Sequence, residues 1–179
     1  MSLIYLLSSL PLLSLDAPPA VSPDAFAEAC RAQLSPSQAA AAEALLRGLP
    51  SDHPFVAAWL DKDSILRNAV ARKRAARRGD AADSERWTRP TQGCDNQIET
   101  LVDDAFEETD PLTRERELDK IRWIIADELQ GPDPLSIQAA YAYAIKLAIT
   151  TRWHALDAER GRAAFDRLSQ VDIPLNPEP

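Results

Sequence analysis

Leu135–Ile149, LSIQAAYAYAIKLAI, is the stretch that decides the fold class. Lys146 is its only charge, and at 100° per residue apolar side chains fall on nearly every face, as expected of a helix surrounded by others. Such a helix has no polar face to offer to water, so its neighbours must cover it. Gly131-Pro132-Asp133-Pro134 breaks the chain before it; after it, helical pattern continues to about Leu168, with an interruption expected near Gly161.

Working outward, most other segments read as amphipathic helices opened by a capping side chain followed by Pro. Ser22-Pro23 opens a helix to about Leu34, and Ser35-Pro36 opens an Ala-rich one to about Arg47. Pro54 starts a longer helix to about Arg78, closed by Gly79, with Phe55 or Val56, Trp59, Leu66 and Val70 as its apolar stripe. Residues 80–93 lose periodicity and read as a loop. A helix resumes at Asp95, with Ile98, Leu101, Val102 and Ala105 on one side and Glu99, Asp103 and Glu107 on the other. Asp110-Pro111 opens another to about Gln130, with Leu118, Ile121, Ile125 and Leu129 turned inward. A short strand over Leu3–Leu7 is the one β candidate. The expected architecture is therefore all-α: a multi-helix bundle of Pro-capped helices around a central apolar helix, one domain over 1–170, with 171–179 an extended or disordered tail.

The 179 residues are 45% hydrophobic and 27% charged, an ordinary composition for a globular domain. The opening MSLIYLLSSLPLLSLDAPPA has no Lys or Arg before Arg31, and Pro11 interrupts its apolar run. It reads as a buried first element and not as an export signal or a membrane span, so no direct membrane insertion is expected. Cys30 and Cys94 match no metal-ligand spacing, and with only His53 and His154 available no metal set assembles; both read as reduced, packed thiols. The five glycines and the absence of phosphate-loop, dinucleotide, nucleophile-elbow and zinc-protease motifs leave no cofactor to expect.

Net charge is −8, which argues against nucleic acid as a partner, since polyanion binders depend on neutralised phosphates. The charge is unevenly spread: residues 67–90 hold eight basic and three acidic side chains, whereas both flanking regions are acidic. Within this middle, Arg67, Arg74 and Arg78 fall on one helical line, while Lys73 and Arg77 extend the stripe begun by Trp59, Leu66 and Val70; Arg72 also belongs to the cluster. Three readings are open. The cations could favour the helix carboxyl end and pair with internal acids such as Asp103, Asp104 and Glu107, they could form a docking face for an acidic partner, or, as the least favoured reading, they could meet nucleic acid or anionic lipid. Trp123, about 140° from Leu118 on a helix whose far side carries Arg116, Asp119 and Asp127, is either covered by a neighbouring helix or an interface anchor. The Glu99, Asp103, Glu107 series reads as a solvated face before a metal or acid–base site, and His154 as structural before catalytic.

Four phrases occur in order along the chain: YLLSSLPLLSLD, LRNAVARKRAARRGD, ELDKIRWIIADEL and AYAYAIKLAITTRW. Together they resemble an incompletely characterised bacterial family typically encoded among V-type (A/V-type) ATPase subunits. That family in turn is similar to a reduced form of the helical central-stalk cap of these ATPases, the C-type component, termed d-type in eukaryotes. The resemblance implies a non-catalytic coupling component, built of cap-like helical units, joining the membrane rotor ring to the central shaft. It further implies a cytoplasmic protein held peripherally at the inner membrane through the ATPase complex. Asn68 and Arg72 in LRNAVAR resemble the recurrent helix motif of the central-stalk caps, which are considerably longer than this chain. The expected protein-binding residues are Arg67, Asn68, Arg72, Lys73, Arg74, Arg77, Arg78 and Trp123, the partners other ATPase subunits. A free-standing helical adaptor or assembly factor, and a helical-bundle enzyme with a carboxylate site, are the alternatives.

Overall fold

Ser22, Ser35, His53, Asp95, Asp110 and Ser136 each accept a hydrogen bond from a backbone N–H in the first turn of the helix that follows. Each thus satisfies a donor that the helix cannot satisfy itself, and this punctuation sets the element boundaries. The computed structural model describes residues 3–156 and 158–169. Its helices are α1 (Leu3–Ser9), α2 (Pro23–Gln33), α3 (Pro36–Arg47), α4 (Pro54–Arg78), α5 (Asn96–Ala105), α6 (Pro111–Gln130), α7 (Ile137–His154) and α8 (Ala158–Ser169). A 3-10 turn, Ala81–Trp87, lies between α4 and α5. Gly48 and Gly79 end α3 and α4 with φ of 65° and 84°, a left-handed conformation that costs a residue bearing Cβ.

The fold is an all-α bundle, and α7 is its centre. It packs against α1, α2, α3 and α6. Tyr141, Ala142, Ala144, Ile145 and Leu147 are fully buried. Small side chains at Ala39, Ala41 and Ala42 of α3 and at Ala140, Ala142 and Ala144 of α7 let these two helices approach closely. Each large apolar side chain removed from water here contributes about 1.5–3 kcal/mol. One hydrophobic cluster runs from Leu6 of α1 through helices α2 to α6 to Ile149 of α7. On the other side α4 packs on α3, α5, α6 and the 3-10 turn.

Several expectations are corrected. Residues 3–7 form helix, not strand: no described strand offers them an edge, and a helix buries Leu6 against α2 and α7. Residues 81–87 are a 3-10 turn within the expected loop. The break after the central helix falls at Ala155, the carboxyl cap of α7, while Gly161 lies inside α8, where a helical glycine weakens the helix without ending it. Cys30 is buried as expected, but Cys94 is exposed. The tail over 171–179 lies outside the described residues. Among the described residues no helix is long and apolar enough to cross a membrane.

Candidate protein-contact surface

The second half of α4 presents its cations in two directions, and the structure treats them differently. Toward α5, Arg72 pairs with Glu99 at 2.6 Å and Lys73 with Asp103 at 2.7 Å. One helical turn on, Arg77 donates to the carbonyl oxygen of Phe106, one of the acceptors left unpaired at the end of α5. Its guanidinium carbon also lies 4.9 Å from the Phe106 ring centroid, with that of Arg114 5.2 Å from the same ring. Arg72, Lys73 and Arg77 are therefore the clasp between α4 and α5. The Glu99–Asp103 face thus supplies partners to these cations while remaining near solvent.

Asn68 faces inward. It is buried, its Nδ2 donates to the Arg89 carbonyl and its Oδ1 accepts from the Arg89 N–H, both at 2.8 Å. Gln92 N–H donates to Asp61 at 2.8 Å, so residues 89–92 are pinned along α4 by side chains of that helix. Asn68 thus holds the connecting segment in place.

The other direction holds Arg67, Arg74 and Arg78, the line read from the helical wheel. These three remain more than half exposed (53%, 57% and 61%), although each reaches an acid: Asp63 at 2.6 Å, Glu115 at 3.0 Å and Asp80 at 4.0 Å. With Trp87, exposed on the 3-10 turn, they rim a groove of about 400 Å³ between α4 and α6 whose floor is Leu66, Val70, Ala71 and Leu118. A second groove of about 380 Å³ adjoins it; Arg67, Glu115 and Arg122 line both.

Beneath the junction of these grooves lies a buried ion network. Asp119 is fully enclosed and accepts from Arg122 at 2.9 Å, from Trp153 Nε1 at 2.6 Å and from Arg152. Arg122 also donates Nε to Asp63 at 2.8 Å, whose other oxygen accepts from Arg67. Burial pulls the Arg122 pKa down, but the charges and hydrogen bonds of Asp63 and Asp119 outweigh it and leave the pKa raised above the usual arginine value. The network joins α4, α6 and α7 through residues supplied by three of the four phrases that carry the resemblance, with Asp63 added just before the second.

Trp123 is half-buried on a different side. The Lys146 ammonium stands 5.1 Å from its ring centroid, and with Leu12, Leu13 and Tyr143 it lines a groove beside the amino-terminal segment. It does not join the α4 surface. His154 is exposed at the end of α7. Among the described residues no cluster of three or more His, Cys, Asp or Glu is placed to hold a metal ion.

Helical spacing separated the two basic faces of α4 but missed Asp63, Asp119, Arg122 and Arg152, because an acid with Arg three or four places on also describes a solvated helix face. Trp87 was missed as well; a lone Trp in a polar, aperiodic stretch was its signal. A family model described as a protein of unknown function (DUF2764) matches residues 96–171, which span α5 to α8 and supply Glu99, Asp103, Glu115 and Asp119 to the network and to the cations of α4. No curated protein and no solved structure matches the chain.

Proposed function

We propose that the chain is a non-catalytic, protein-binding component of a V/A-type ATPase, a reduced form of the central-stalk cap that couples the membrane rotor ring to the central shaft. The observation that carries this reading is the Arg67, Arg74, Arg78 line: cations each within 4.0 Å of an internal acid yet more than half exposed, on a chain of net charge −8. A coupling element has to present charge at fixed positions and resist deformation. The 25 residues of α4, about 37 Å of helix, are tied by ion pairs to α5 and α6 and through Asp119 to α7. The four-phrase resemblance supplies the assembly and the peripheral inner-membrane location; the protein-contact role alone would equally serve an adaptor. It needs no cofactor of its own.

The test is affinity purification from native membranes of a cell that expresses the chain. A coupling component stays with the intact ATPase at a fixed ratio through dilution and washing. An assembly factor accompanies only incomplete complexes, and a chain that never accompanies any part of an ATPase would end this reading.

A further inference from the structure

We propose that the seam between α4 and α6 is a docking trough for an acidic, amphipathic helical segment of a partner protein. This deepens the protein-binding reading above and rests on it. The two grooves meet at Arg67, Glu115 and Arg122; the first lies between α4 and α6, the second continues from it among α3, α4, α6 and α7, and their lining positions on α4 are 59–60, 63, 66–67, 70–71, 74 and 78. Those positions recur every three or four residues, so they form one face of one helix. From Trp59 to Arg78 that face is about 28 Å long at 1.5 Å per residue, the length of a partner helix of about five turns.

The chemistry of the walls names the occupant. Six arginines and three acids line the trough, a local excess of positive charge on a protein whose net charge is −8. Pairing leaves Arg67, Arg74 and Arg78 with donors still facing outward, because a guanidinium carries five N–H groups and each of these ion pairs engages one of its nitrogens. Between the charges the floor is apolar, with Leu66, Val70 and Leu118 buried at its base, and Trp87, 60% exposed, rims the first groove. An aromatic side chain beside a groove and flanked by arginines is the composition of an interface anchor. A helix with Leu or Ile along one stripe and Glu or Asp on its flanks meets both requirements, the mode in which amphipathic helices enter grooves. A long polyanion meets only one, and would be repelled by the acidic remainder of the surface.

The probe is a synthetic peptide of about 20 residues, Leu at i, i+3, i+4 and i+7 and Glu on the flanks, with binding to the full chain followed by fluorescence anisotropy. Saturable binding is expected, weakening with added salt, and weaker by about tenfold or more in Trp87→Ala and in the double variant Arg74→Gln with Arg78→Gln. Gln is chosen because Glu at 74 would stand against Glu115. Both variants change exposed side chains, and their circular dichroism and melting are compared with wild type; should the double variant lose helix, Trp87→Ala carries the test alone. The same peptide with Gln for Glu binding equally well, a single-stranded 20-nucleotide DNA binding as tightly, or Trp87→Ala binding like wild type would each overturn the proposal. Wild type and variants recovered alike with the ATPase would sink the trough and leave the coupling reading standing. Peptide binding lost in the variants, from a chain never recovered with the ATPase, would do the reverse.

Discussion

Asn68 and Arg89 pair as two adjacent strands would: one side-chain amide gives and takes a hydrogen bond with one backbone unit, each at 2.8 Å. Because Asn68 is buried, neither bond can be replaced by water without disturbing α4. Asn68→Ala is expected to cost about 1–3 kcal/mol and to release the segment carrying Trp87. Asn68→Asp keeps the acceptor but loses the donor and sets a carboxylate oxygen against the Arg89 carbonyl, so it should be no better tolerated. Urea unfolding gives the energy; hydrogen exchange at the Arg89 amide, fast in Asn68→Ala and slow in wild type, gives the mechanism. Wild-type exchange at Arg89 in a destabilised Asn68→Ala protein would show that the loss arises elsewhere.

Asp119 should be the most sensitive acid in the chain. Asp119→Ala leaves Arg122 largely enclosed with half its partners gone and removes the acceptor of Trp153 Nε1, for an expected loss of about 3–5 kcal/mol. Glu43→Ala removes two exposed ion pairs, with Arg31 and Arg47, and should change stability by less than about 1 kcal/mol. Equal losses in the two variants by chemical denaturation would mean that the network around Asp119 is as weakly coupled to folding as a surface pair.

These two contrasts show where the sequence was readable. Caps and Pro placed the helices because a capping side chain and its helix are neighbours in the chain: Ser22, Ser35 and Asp110 act within three residues of themselves. Apolar periodicity picked α7 as the centre because burial on all sides leaves no polar face. The ion network was not readable in that way. Asp119 and Arg152 are 33 positions apart and Asp63 and Arg122 are 59 apart, so their meeting depends on how α4, α6 and α7 cross. The Arg67, Arg74, Arg78 line was visible as a line, but its groove required α6 and Trp87, neither of which helical spacing within α4 can supply.

Asp95 links a helix cap to an ion pair, and acid should separate the two. The hydrogen bond from Lys62, aided by that cation's charge and by the N–H groups of Ile98 and Gln97, outweighs partial burial and holds the Asp95 carboxyl below its ordinary value. A carboxyl lowered on folding contributes stability that is fully present above its unfolded pKa, about 3.9, and that is lost as pH falls through the folded value. Asp95→Asn keeps an acceptor for the cap but has no charge to lose. Wild type should therefore melt higher than Asp95→Asn at pH 6–7, and the gap should close on acidification below about pH 4. A gap unchanged between pH 7 and pH 2 would remove Asp95 from the acid response.

The two thiols should differ sharply in reactivity although the sequence made them look alike. Cys30 is 1% exposed in the core, and burial, only partly offset by Arg31, raises its pKa to about 11, so at pH 8 roughly one molecule in a thousand carries the thiolate that attacks an alkylating agent. Cys94 lies exposed between the pinned segment and α5. Iodoacetamide at pH 8 should give the folded protein one adduct, on Cys94, and the urea-unfolded protein two, with peptide mass spectrometry locating them. Because the thiolate of Cys30 becomes available only when α2 leaves the core, its slow labelling also reports the opening of that helix. It should quicken in Phe26→Ala, which removes a fully buried side chain from the same helix, while Cys94 labelling stays constant. Rapid double labelling of the native chain would mean that α2 is not held in the core as described.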